Sequence, residues 1–124
     1  MSEVARHPSV PFSAPVRRWF EASFKAPTPV QAHGWPPISR GAHSLLLAPT
    51  GSGKTLAAFL WALDRVFALS AADTAGVRVL YVSPLKALAY DVDRNLKAPL
   101  VGIRRFAEQG GESVRVPEIG RAHV

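Results

Sequence analysis

Residues 45–60 read "LLLAPTGSGKTLAAFL", and within this stretch the hydrophobic pattern changes period. A short apolar run, Leu45–Ala48, gives way to a glycine-bearing turn, after which Ala57, Leu60, Trp61 and Asp64 recur at helical spacing. Strand, loop and helix are predicted in that order. The loop departs at one position from the pattern of glycine, four residues and Gly-Lys-Ser/Thr. Ala48 takes the first glycine's place, and Pro49, Thr50, Gly51, Ser52, Gly53, Lys54 and Thr55 follow. The physics survives the change. Gly51 and Gly53 let backbone N–H groups turn toward phosphates with no Cβ in the way. Lys54 is placed to reach β- and γ-phosphates, Thr55 to offer its hydroxyl to Mg²⁺, and the dipole of the following helix favours anions.

Outward from the loop, "AADTAG" (71–76) is a linker and "VRVLYVS" (77–83) has the β-branched, nearly continuous apolar character of a strand buried on both faces. Pro84 opens a helical segment, "PLKALAYDVDRNL", which Pro99 is expected to interrupt; a further helix over "PLVGIRRFAEQGG" and a third strand at "SVRVP" (113–117) follow. Upstream, "SAPVRRWFEASF" (13–24) sets Val16, Trp19, Phe20 and Phe24 at helical spacing behind Ser13 as N-cap. "KAPTPVQAHGWPPISRG" (25–41) predicts a short helix over Val30–Trp35, ended by Pro36 and Pro37 or restarted there. Strands alternating with helices imply an α/β fold of the P-loop NTPase type, a RecA-like parallel sheet with right-handed crossovers flanked by helices. Residues 1–11 are expected to be a flexible entry, with the domain over 12–116.

The chain has 124 residues, 48% of them hydrophobic, enough for one domain with a core. No apolar run is long enough to cross a bilayer, and the first residues lack a secretory signal's apolar core, so a soluble cytoplasmic protein without a membrane partner is expected. There are no cysteines, and the four histidines are scattered, which argues against zinc. A net charge of +6 suits a polyanion such as nucleic acid without specifying one. Asp91 and Asp93, two apart, do not share a helical face, which argues against paired-carboxylate chemistry. Trp19, Phe20, Phe24, Phe59, Trp61 and Phe67 fit a core better than base-stacking platforms, and His33 and His43 carry no assigned role. Arg94, Lys97, Arg104 and Arg105 offer a basic face, although isolated basic residues on helices are ordinarily just solvated.

The loop "APTGSGKT" resembles that of superfamily 2 helicases, and two flanking segments agree: "PTPVQ" at Pro27–Gln31 resembles the Q motif, and "SPLKALAYD" at Ser83–Asp91 resembles motif Ia. Together with "HGWPPI", "AFLWALDR" and "VLYVSPLKALAYDVDRNLKAPL", these are similar to the Lhr, or large helicase-related, ATPases, over Phe12 to Val116. The resemblance implies ATP and Mg²⁺ as cofactors, held by Thr28, Gln31, Thr50, Gly51, Ser52, Gly53, Lys54 and Thr55. Gln31 would pair with the adenine edge, Lys54 and Thr55 would serve catalysis, and Thr55 would ligate the metal. Phe12 and Phe20 are candidates for stacking on adenine. Ser83, Pro84, Leu85 and Lys86 would meet the phosphate backbone of single-stranded or partly duplex DNA or RNA.

A helicase also needs an acidic Asp-Glu motif for Mg²⁺ and water, and a second lobe bringing arginines to the γ-phosphate. No Asp-Glu pair occurs in this sequence. The expectation is therefore an N-terminal piece of the first motor lobe, unable to hydrolyse ATP alone. Residues 117–124 are expected to be a non-native tail, since "EIGRAHV" matches a translated sequencing adapter. A P-loop kinase or phosphotransferase would share strand, loop and helix but would not require Gln31 or the motif Ia segment; a non-catalytic binding module is the third reading.

Overall fold

The computed structural model describes residues 10–69, 76–112, 114 and 116–120. They form four helices: α1, Ala14–Ser23; α2, Pro29–Ser39; α3, Lys54–Phe67; and α4, Lys86–Gln109. α1 packs on α4 and α2 on α3. One core joins both pairs, with Val16, Trp19 and Phe20 from α1, Trp35 from α2, Phe59, Leu60 and Leu63 from α3, and Leu96, Leu100 and Ile103 from α4. Val10 and Phe12, ahead of α1, belong to it as well. Trp35 is its centre: Phe12 and Phe20 meet the indole edge-on, with ring centroids 5.1 and 5.4 Å away.

Helix α1 starts where its sequence says, with Ser13 at the N-cap and proline in the first turn, but the Ser13 side chain bonds no first-turn N–H. Its N–H and Oγ both donate to the Asp64 carboxylate on α3, at 3.0 and 2.5 Å. Asp64 is fully buried, and Arg65 donates to its other oxygen at 2.6 Å while lying over the Trp61 ring. A buried carboxylate supplied with donors on both oxygens avoids most of the cost of desolvation.

Two helices run through prolines that were expected to stop them. α2 continues across Pro36 and Pro37 to Ser39, and α4 is one 24-residue helix with Pro99 inside it. Each proline lacks the N–H that would have bonded four residues back. In α4 the loss is offset by burial, because Pro99 packs in the core beside Leu96, Leu100 and Ile103. In α2 the prolines sit in the last turn, where the Pro36 carbonyl accepts from Ser39 Oγ at 2.8 Å.

The expected parallel sheet is not formed among the described residues: 45–48 and 77–83 make no ladder, and the proposed third strand at 113–117 lies partly outside them. Residues 45–48 and 79–82 nevertheless alternate in burial. Leu45 and Leu47 are 82% exposed while Leu46 packs on Gly34; Leu80 and Val82 are 80% exposed while Val79 and Tyr81 are half covered, Tyr81 by Phe59. A period of two is the signature of extended chain facing one layer of helices. A strand is defined by neighbours, and these two segments do not pair with each other.

The α1–α4 contact is tight at Gly102, where an added Cβ would fall 2.3 Å from Trp19 Cδ1. Gly102→Ala is expected to lower stability by about 1–2 kcal/mol in urea denaturation, because overpacking of this size exceeds the helix-propensity gain of alanine.

Candidate functional site

The turn before α3 is built by its glycines. Gly51 and Gly53 have φ of 82° and 83°, a region that residues with a Cβ rarely occupy. The Pro49 carbonyl accepts from Ser52 N–H at 3.3 Å and Ser52 Oγ at 2.6 Å, which closes the turn. Gly53 is the N-cap of α3 and provides no side-chain cap, so the first-turn N–H groups are left to whatever binds there. Lys54 is exposed, Thr55 is half-buried, and open space surrounds the position a Cβ would take on Gly51. An anion fits this end of the helix: first-turn N–H donors, a positive dipole end and a lysine with no ion pair among the described residues lie there.

A second segment braces the turn. Thr28 and Gln31 form a capping box at the start of α2: the Thr28 hydroxyl accepts from Gln31 N–H, and Gln31 Oε1 accepts from Thr28 N–H at 3.0 Å. The same side chain reaches across to α3, where Gln31 Nε2 donates to the Gly53 carbonyl at 3.1 Å. Gln31 is 3% exposed. One turn along α3, Trp35 Nε1 donates to the Leu56 carbonyl at 3.2 Å. Thus Thr28, Gln31 and Gly53, 22 residues apart at the extremes of the last bond, meet in space. The capping box was legible as Thr-x-x-Gln; the reach to Gly53 had no local signal.

An open cleft of about 760 Å³ lies between α2 and residues 43–49 and reaches Ser52. Pro29, Val30 and His33 line one side and His43 to Pro49 the other. Phe12 and Phe20, candidates for stacking on a base, are instead buried against Trp35. Their rings are committed to the core. Phe24 is partly exposed, while Trp19, Phe59 and Phe67 are core as expected.

Ser83, Pro84, Leu85 and Lys86 form a separate cluster leading into α4, whose N-cap is Leu85. Ser83 Oγ donates to the Leu85 carbonyl at 3.1 Å, and Lys86 is exposed. Asp91 pairs with Arg94 at 3.0 Å on the same helix, and Asp93 is engaged too. Among the described residues no group of His, Asp and Glu is placed to hold a metal, and no helix is long and apolar enough to cross a membrane.

The DEAD/DEAH box helicase family matches residues 28–119. The chain is 60% identical to the Lhr helicase/probable uracil glycosylase of Mycolicibacterium smegmatis over 81% of its length, and 50% identical to the Lhr helicase/uracil glycosylase of Escherichia coli over 82%. It spans only 7% of either relative. An ATP-dependent helicase Lhr-Core from Methanocaldococcus jannaschii is 43% identical over 78% of the chain and is itself covered over 12%. In three dimensions the chain matches Mycobacterium smegmatis helicase Lhr, solved with ssDNA and AMP-PNP, with a TM-score of 0.75 and 58% identity over 87% of this chain and 13% of that one.

A Cβ on Gly53 would fall 2.4 Å from Gln31 Nε2, at a φ that already strains alanine. Gly53→Ala is expected to weaken binding of a fluorescent ATP analogue by about five- to thirtyfold, since the left-handed strain alone is about 1–2 kcal/mol; Gly111→Ala, also at positive φ but beyond α4, leaves that affinity unchanged.

Proposed function

We propose, for a chain that belongs to the DEAD/DEAH box helicases of the Lhr type, that it is the N-terminal part of a first RecA-like motor lobe, over about residues 12–116. In the intact protein ATP binding and hydrolysis drive movement along nucleic acid. The observation that carries this reading is the brace between Gln31 and Gly53, which joins the base-reading and phosphate-holding segments in one hydrogen-bonded unit.

ATP would be held by Thr50, Gly51, Ser52, Gly53, Lys54 and Thr55, with Mg²⁺ on the Thr55 hydroxyl. Lys54 neutralises charge on the β- and γ-phosphates, and the first-turn N–H groups of α3 supply fixed dipoles. The metal, when bound, polarises the terminal phosphate.

Gln31 keeps the capacity to read adenine while bracing the loop. An amide offers two donor hydrogens and two acceptor lone pairs, and one of each is used by Gly53 and Thr28. The remaining pair matches the amino group and N7 of adenine, whereas guanine presents an acceptor where adenine presents a donor. Thr28 fixes that orientation through the capping box.

At the start of α4, Ser83, Pro84, Leu85 and Lys86 would meet the phosphate backbone of a DNA or RNA strand without reading its bases. The ssDNA and AMP-PNP of the solved Lhr neighbour support both ligands for this chain. Binding and chemistry are separable here, since no Asp-Glu pair is present to hold Mg²⁺ and order the water. Without that pair and a second lobe, this stretch of chain would bind ATP weakly at most and hydrolyse none of it. Family membership favours this reading over a kinase or small-molecule phosphotransferase.

Lys54→Ala in the intact protein is expected to remove nucleic-acid-stimulated ATPase activity, lowering kcat by at least about a hundredfold, in line with loss of one preorganised electrostatic contact. Normal phosphate release by that variant would sink the assignment of the loop.

A further inference from the structure

Helix α4 carries a row of cations that the nucleotide site does not use. At 100° per residue, Lys86, Arg94, Lys97, Arg104 and Arg105 fall within an arc of about 100°, on the side away from Leu96, Ile103 and Ala107, which face the core. All five are exposed. From Lys86 to Arg105 the row runs about 28 Å at 1.5 Å per residue, the length of about eight stacked nucleotides at 3.4 Å each.

The counter-charges on this face are weakly held. Arg94 pairs with Asp91 and Arg104 with Glu108, each at 3.0 Å and with every partner more than half exposed. Such pairs contribute little and exchange readily for a stronger anion. Asp93, at the edge of the arc, is partly buried and otherwise engaged. Among the described residues Lys86, Lys97 and Arg105 have no ion-pair partner.

We propose that the outward face of α4 is a phosphate track that carries a single strand of nucleic acid onward from the Ser83–Lys86 segment. The proposal rests on the helicase reading, which places the strand at Lys86. Cations spread over about 28 Å of one helix face, beginning at that point, fit an extended polyanion and not a compact anionic ligand. The contacts are sequence-independent, because cations on a helix face touching phosphates read no base edges.

The test is the salt dependence of single-strand binding by the intact protein, followed by fluorescence anisotropy of a labelled oligothymidylate. Each phosphate contact contributes about 0.7 to the slope of log K against log salt for single strands. Lys97→Ala combined with Arg105→Ala is expected to reduce the slope by about 1.4, and Lys86→Ala alone by about 0.7. All are exposed positions, and far-UV circular dichroism checks that the variants keep the fold. If the double variant keeps the full slope while Lys86→Ala reduces it, the track is overturned and the helicase reading stands. If neither changes the slope, both fail together. An equal reduction by Arg40→Ala, exposed at the end of α2, would mean bulk charge and overturn the track. So would displacement of the oligonucleotide by polyglutamate at equal charge concentration, which would make the partner an acidic polypeptide.

Discussion

The geometry at the phosphate loop depends on the contact between the Gln31 side-chain amide and the Gly53 backbone. Gln31 Nε2 occupies the space a side chain at Gly53 would need, and it holds the carbonyl that also accepts the first intrahelical bond of α3, from Ala57 N–H at 3.0 Å. The left-handed turn at Gly53 and the position of α2 therefore specify each other. A glycine is required there for two independent reasons, backbone conformation and occupied volume.

The brace is repeated along α3. Gly53 is tied to α2 by Gln31, Leu56 by Trp35, and Asp64 to the start of α1 by Ser13. Three attachments over three turns leave the helix little freedom to tilt. Each involves a buried polar group whose partner cannot be removed without leaving an unsatisfied atom, a loss of about 1–3 kcal/mol. The N-terminal helices thus act as the mount on which α3 is fixed, and for the phosphate-holding role proposed for its first turn such preorganisation is what electrostatic stabilisation requires.

Much of this was legible in the chain and part was not. The loop and the helix behind it follow from glycine placement and apolar spacing, and the helix expected from Val30 starts one residue earlier, at Pro29. Asp64 gave no such signal: it sits among apolar residues at helical spacing, and its partner Ser13 lies 51 residues away. Proline rules misplaced two boundaries because they describe isolated helices, whereas Pro99 is held by core packing and Pro36 and Pro37 by the end of α2. The strand pattern at Leu45–Ala48 and 79–82 shows as alternating burial, yet a ladder is a non-local property that no segment possesses alone. The candidate stacking rings of Phe12 and Phe20 were misjudged for the same reason, since only the packed structure places them against Trp35.

The pairing of helices also sets an order of events. α2 and α3 are neighbours in sequence, while α1 and α4 are separated by both of them and meet only after the chain has closed a long loop. Loop-closure entropy and contact order make the first pair fast and the second slow. The α2–α3 half can therefore assemble as a local nucleus around Trp35, with α1 and α4 closing over it afterwards like a clasp whose last stitch is Trp19 against Gly102.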